Sequence, residues 1–126
     1  VGGKGKIEAR NKTFKAGQIL ENAGITFGLI TDAPFVPIEG QLLQAALYVK
    51  NGLSREMALK CLTINNAIIT DIDSRVGSLE PGKDADVVIW DVEPLATLSQ
   101  VGIVIIDGQI AYRRKAGESN VDYQKL

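Results

Sequence analysis

An aspartate at the end of an apolar run is the residue of this chain best suited to chemistry. Residues 26–30 predict a short buried strand, and Thr31, Asp32, Ala33 and Pro34 end it abruptly. Parallel α/β barrels place catalytic groups at the carboxyl ends of their strands. A carboxylate there can bind a divalent metal, accept a proton from metal-bound water, or do both in sequence. The alternative is a loop aspartate that caps the next turn, and these four residues taken alone favour that alternative.

The other candidate side chains have simpler interpretations. Asp84 and Asp86 flank Ala85 before an apolar run, and we expect them to fix the preceding turn through hydrogen bonds to the backbone. Asp71 and Asp73 are interpreted as loop acids. The single cysteine, Cys61, lies on the apolar face of a predicted helix. A buried structural thiol is favoured over a nucleophile, because the chain has no histidine to activate it.

Three helices are predicted in the first half of the chain. The first begins at Thr13 as its cap and ends at Gly24, a glycine suited to the left-handed position after a helix. The second spans residues 40–50, with Leu43, Ala46, Leu47 and Lys50 along one line, and Asn51-Gly52 stops it. The third is capped by Ser54 and buries Met57, Ala58, Cys61 and Leu62. A helix followed by a buried strand is half of a parallel α/β repeat.

The second half of the chain predicts strands. Residues 87–90 read as a strand buried on both faces, preceded by a Pro81-Gly82 turn. Residues 101–106 and 109–112 predict a hairpin whose Asp107-Gly108 turn suits type I′ geometry. The chain is therefore divided into an α/β piece, residues 1–70, and a β piece, residues 71–126.

Composition excludes several classes of function. The chain has 126 residues, of which 45% are hydrophobic and 23% are charged, and its net charge is −1. This balance argues against nucleic acid or an anionic membrane as a partner. No apolar run approaches the ~20 residues of a membrane span. No signal peptide is recognisable, so we expect a cytoplasmic location.

Several motifs in order resemble the metal-dependent amidohydrolases, particularly the imidazolonepropionase-like members of that superfamily. The resemblance covers roughly residues 7–114 and rests on five stretches: residues 24–34, 53–59, 63–67 (Thr63-Ile64-Asn65-Asn66-Ala67), 77–91 and 106–112. Each stretch is modest by itself, and their shared order makes the signal strong.

The resemblance implies a fold and an incomplete enzyme. We expect an α/β fold made of the C-terminal part of a (β/α)8 barrel, residues 1–70, followed by strands of the family's small β-sandwich, residues 71–126. The family's histidine metal ligands would precede Val1. The parent enzyme is then expected to use a divalent metal, with zinc as the expected ion, while this chain alone would bind no metal and be inactive.

The same resemblance assigns roles at the end of the predicted strand. The family's corresponding aspartate deprotonates the metal-activated water and often touches the metal, and this role falls on Asp32. Thr31 would orient Asp32, while Ala33 and Pro34 would line the mouth of the substrate site. Other members place a histidine shortly after the aspartate. This chain has no histidine there, so the resemblance does not choose a substrate among cyclic amides and related C–N compounds.

A second hypothesis comes from a different class of protein. The absence of histidine and the unpaired edges of isolated strands also suit a non-catalytic module that works through its β-sandwich or through assembly. Under the enzyme hypothesis the partner is a small-molecule substrate of the parent. Under both hypotheses we expect a homo-oligomer.

Overall fold

The computed structural model describes residues 13–115, in which helices come first and strands follow. The elements in chain order are α1 (Ala16–Asn22), a 3₁₀ turn (Ile38–Gly40), α2 (Gln41–Lys50), α3 (Arg55–Leu62), α4 (Ile64–Ile69), β1 (Val87–Trp90), β2 (Val101–Ile106) and β3 (Gln109–Arg113). In these residues no helix has the length and apolar character needed to cross a membrane.

Helix α1 ends as its sequence predicts and begins later than expected. Gly24 adopts a φ of 67°, and the N–H of Ile25 donates to the carbonyl of Leu20 at 3.0 Å. This is the Schellman arrangement, which a glycine accommodates without steric cost. At the other end, the Thr13 hydroxyl accepts from the N–H of Lys15 at 3.2 Å, and the helix starts only at Ala16.

The boundary between α2 and α3 follows local signals. Gly52 has a φ of 104° after the end of α2, and the Ser54 hydroxyl accepts from the N–H of Met57 at 3.1 Å. Both features were predicted from sequence. The buried residue of α2 lies outside the line of residues named from the sequence, because Ala45 is fully buried whereas Leu43 is 66% exposed. Leu43 instead lines an open apolar depression beside the loop that contains Leu95.

A small core joins the helices to the segment before Asp32. Its members are Leu29, Ala45, Leu53, Ala58, Cys61 and Leu95. Helix α1 reaches this core closely at Gly17, where an added Cβ would lie 2.9 Å from the Tyr48 ring. The ring of Tyr48 also meets Phe14 edge to face, with ring centroids 5.3 Å apart.

Residues 26–30 do not form the predicted strand. Among residues 13–115 no strand pairs with them, and they form a segment without regular secondary structure, called the extended segment below, with Leu29 buried in the core. A strand is defined by the neighbour that its backbone bonds to, and here the neighbours are helices. Groups of α2, α3 and α4 bond to the backbone of Phe27 and Leu29, and no bond is made to the backbone of residues 26, 28 and 30 from within residues 13–115.

The three strands form an antiparallel sheet in the order β1-β2-β3. The β2–β3 turn has positive φ at both Asp107 (49°) and Gly108 (72°), which confirms the predicted type I′ geometry. The predicted burial of β1 on both faces was wrong, since Val88 is 47% exposed and Ile89 is 45% exposed. Strand β1 is an edge of this sheet, and the elements of residues 13–115 leave its faces partly open.

Candidate functional site

Asp32 lies at the end of the extended segment, at the start of an exposed turn. Its φ is 58°, a left-handed conformation that aspartate adopts more readily than most residues. The turn closes through the N–H of Phe35, which donates to the carbonyl of Asp32 at 3.0 Å. The side chain is exposed, and no hydrogen bond or ion pair reaches its carboxylate from residues 13–115. The carboxylate is therefore free to meet a water molecule or a ligand.

The three residues expected around the substrate mouth are neighbours of Asp32 in the turn. Thr31 is partly buried, whereas Ala33 and Pro34 are exposed. Phe35, which follows them, is one of the most exposed apolar side chains of the described chain. These residues are close to one another because they are consecutive in the chain. They lie on an open surface, and no other element of residues 13–115 faces them to form a pocket.

Two carbonyls anchor the segment that carries Asp32. The carbonyl of Phe27 accepts from Asn65 Nδ2 at 2.9 Å and from the Cys61 thiol at 3.2 Å. The carbonyl of Leu29 accepts from Gln41 Nε2 at 3.1 Å and from Asn66 Nδ2 at 3.2 Å. These bonds satisfy backbone groups that are removed from water and would otherwise be costly to bury.

The sequence alone did not indicate that Asn65 and Asn66 have a role at this site. Asn65 is only 7% exposed, and a buried amide side chain needs a hydrogen-bond partner. Its signal in the sequence is a pair of asparagines inside an otherwise apolar stretch, residues 64–69. Gly28 is the second signal. A Cβ at this position would overlap Asn66 Oδ1 and lie 2.9 Å from Asn66 Cγ, so only glycine lets the amide reach the backbone.

Asp84 and Asp86 play structural roles. Asp86 Oδ1 accepts from the N–H of Asp107 at 2.8 Å, a hydrogen bond to backbone as predicted. The target of that bond is the hairpin turn rather than the preceding Pro81-Gly82 turn. Asp84 differs from the prediction, because its carboxylate pairs with the Arg75 guanidinium at 2.8 Å.

Comparison with known proteins gives the family of this chain. The model of the amidohydrolase family matches residues 7–111, which include the Asp32 segment, the helices that hold it and most of the sheet. The chain belongs to the amidohydrolase family. The resemblance inferred from its motifs is thereby confirmed.

Relatives of this amidohydrolase chain are longer proteins. The amidohydrolase tasK of Hapsidospora irregularis is 34% identical over 82% of this chain, which spans 10% of that protein. The imidazolonepropionase of Maricaulis maris is 33% identical over 84% of this chain, which spans 28% of it. The chain thus covers less than a third of these relatives.

A solved structure shares the fold of this amidohydrolase chain. The amidohydrolase from Thermotoga maritima superimposes with a TM-score of 0.83, at 38% identity, over 89% of this chain and 29% of that one. The putative prolidase from Bifidobacterium longum gives a TM-score of 0.68 at 32% identity. The arrangement of the helices and the sheet is therefore that of a known amidohydrolase.

The side chains of residues 13–115 do not make a metal site by themselves. Residues 13–115 bring no three histidine, cysteine, aspartate or glutamate side chains together, and the whole chain has no histidine. The one thiol, Cys61, is buried, and that burial raises its pKa. Structural zinc sites use four ligands and catalytic ones at least three. Asp32 thus offers one carboxylate, and any metal beside it needs ligands from outside these residues.

Proposed function

We propose that this chain is the C-terminal part of a metal-dependent amidohydrolase that hydrolyses C–N bonds, in a cyclic amide or a related substrate. The observation that carries the proposal is the Asp32 carboxylate, which is exposed and unpaired within the described chain, at the end of a segment inside the family match. Family membership implies a divalent metal in the complete enzyme, and we propose that it is zinc, with Asp32 as one contact and the other ligands outside this chain.

The proposed arrangement has two parts. Residues 1–70 are the end of a (β/α)8 barrel, with residues 26–30 as its last strand, and residues 71–126 belong to a β-sandwich. The helical character before residue 70 and the antiparallel sheet after residue 86 support this division. In this arrangement a neighbouring strand of the parent would pair with the extended segment on the side that the helices leave open.

The proposed role of Asp32 is that of a proton acceptor. As the oxygen of the attacking water bonds to the carbonyl carbon, one water proton passes to a carboxylate oxygen of Asp32. When the C–N bond breaks, this proton moves to the leaving nitrogen and the carboxylate is restored. In the complete enzyme Thr31 would orient the carboxylate, to which it makes no hydrogen bond within residues 13–115, and Ala33 and Pro34 would line the mouth through which the substrate enters.

The full-length enzyme offers a test with a matched control. Asp32→Asn keeps the shape of the side chain and removes its basicity, so we expect kcat to fall about 10³-fold. Asp71→Asn is the control, because Asp71 is also exposed and has almost the same φ, 59°. Asparagine tolerates this conformation as aspartate does, so neither variant should unfold the protein. Wild-type kcat in Asp32→Asn would overturn the proposal.

The chain by itself is expected to be inactive. It supplies a single carboxylate near the turn, whereas a catalytic metal needs several protein ligands. The check is hydrolysis of cyclic amides by the isolated 126 residues with added Zn²⁺, with the full-length enzyme as the positive control. Metal-dependent turnover by the isolated chain would contradict this expectation.

A non-catalytic assembly module is the second candidate function. The sheet supports it, because all five residues of the edge strand β3 are exposed. Under this alternative Asp32→Asn leaves the function of the full-length protein unchanged.

The enzyme proposal includes a small-molecule substrate, no nucleic-acid or membrane partner, a homo-oligomer and a cytoplasmic location.

A further inference from the structure

The carbonyl of Leu29, three residues before Asp32, accepts hydrogen bonds from side chains of two different helices. Gln41 of α2 donates from Nε2 at 3.1 Å, and Asn66 of α4 donates from Nδ2 at 3.2 Å. We propose that Gln41 and Asn66 are positioning residues, which set the place of the Asp32 carboxylate through this one carbonyl. The inference rests on the proposed role of Asp32.

The peptide groups on either side of Leu29 are hydrogen-bonded, whereas the next two residues are not bonded within residues 13–115. The N–H of Leu29 donates to the carbonyl of Cys61 at 3.1 Å, and its side chain is part of the core. The next two residues, Ile30 and Thr31, make no hydrogen bond within residues 13–115. The Leu29 carbonyl is therefore the last fixed point before Asp32, and a shift there moves the carboxylate.

The two amides suit this task in their chemistry. A carbonyl oxygen has two lone pairs, and each donor occupies one of them. The amide of Asn66 lies against the backbone at Gly28, where a Cβ would overlap its Oδ1. Because the donors come from α2 and α4, the carbonyl is tied to two elements at once, which restricts its direction more than either bond alone.

Helix α2 also supplies an internal comparison. Gln44 follows Gln41 by one turn on the same helix, and its Oε1 is buried without a hydrogen-bond partner among the described residues. No hydrogen bond links Gln44 to the Asp32 segment in residues 13–115. Replacement of Gln44 thus removes the same type of side chain from the same helix and leaves the Leu29 carbonyl untouched.

The experiment compares alanine variants of the full-length enzyme at a temperature at which each is folded. Misplacement of a reacting group by about 1 Å can cost about 100-fold in rate, and we expect a loss of about that size in kcat for the double variant Gln41→Ala/Asn66→Ala. Each single variant loses less, because one donor still holds the carbonyl. KM stays nearly constant, since the substrate contacts are unchanged. Gln44→Ala keeps wild-type kcat.

The same substitutions in an Asp32→Asn background separate positioning from general loss of structure. If Gln41 and Asn66 act through Asp32, the double variant lowers the residual rate of Asp32→Asn no further. A further loss in that background, or equal losses in Gln44→Ala, would show a merely structural effect and overturn the inference. Full kcat in the double variant, with Asp32→Asn inactive, overturns the inference alone. Full kcat in Asp32→Asn overturns the proposed function and the inference together.

Discussion

Asp32 and Asp71 show why a carboxylate cannot be assigned a role from its own conformation. Both have left-handed backbones, with φ of 58° and 59°, and both side chains are exposed. They differ in what precedes them. Asp71 follows the end of α4, whereas Asp32 follows a segment whose carbonyls are held by buried or partly buried amides. Precision at Asp32 comes from those amides.

Gly28 is the residue on which this precision depends most directly. In Gly28→Ala the new methyl group would overlap the Asn66 amide, which must then move away from the Leu29 carbonyl. Overpacking of this kind costs about 1–3 kcal/mol, and we expect a loss near 2 kcal/mol in the free energy of unfolding, measured with urea.

The control for this substitution is Gly102→Ala in β2. A Cβ there would lie 3.5 Å from the nearest atom, the Ile89 carbonyl oxygen, which is an ordinary van der Waals contact. The variant should be neutral or up to about 1 kcal/mol more stable, because alanine restricts the unfolded chain. Equal losses in the two variants would show that the Asn66 contact does not decide the effect.

At the scale of the element, the junction between α1 and α3 depends on an ionised side chain. The Glu21 carboxylate of α1 accepts from the N–H of Ser54 at 2.9 Å and from the Ser54 hydroxyl, and Ser54 caps α3. The bond from the Ser54 hydroxyl, followed by that from the Ser54 N–H, lowers the pKa of Glu21 below its ordinary value of 4.5.

The sign of the pH dependence follows from that lowered pKa. The native state binds the Glu21 proton less tightly than the unfolded state, so the contribution is fully present above pH 4.5 and is lost as the pH falls through the lower native pKa. We expect Glu21→Gln to unfold at a lower temperature than the wild type at pH 7. The gap should narrow at acidic pH. A gap independent of pH would contradict this role of the charge.

The elements that sequence predicts well are those with local signals. Ser54 as a cap and Asp107-Gly108 as a turn act through their immediate neighbours, and both are confirmed. Residues 26–30 failed as a strand because a strand needs a neighbour distant in the chain, and α3 and α4 stand on the side described here. The exposure of Leu43 is likewise set by distant parts of the chain. Its exposure depends on which elements cover α2, which its own periodicity cannot show.

At the scale of the whole molecule, the described chain leaves much apolar surface uncovered. Phe35 and Leu98 are each 86% exposed, and both faces of β1 are open at Val88 and Ile89. Isolated apolar residues at a surface are common, whereas the unpaired backbone of an exposed edge strand is a template for another chain. This distinction predicts where copies of the chain meet. Of the two edges of the sheet, β3 is exposed along its whole length.

We therefore expect the isolated chain to self-associate through β3, with Ile110→Lys weakening the contact. Ile110 is 55% exposed on this edge strand, and a lysine there brings two like charges together when two copies pair. Sedimentation velocity at several concentrations should show a dissociation constant about tenfold higher for this variant. Leu98→Lys is the control, because it also replaces an exposed apolar side chain by a charge but lies outside the strands. If both variants weaken association equally, general apolar surface holds the copies together. If Ile110→Lys alone does so, the contact is the β3 edge.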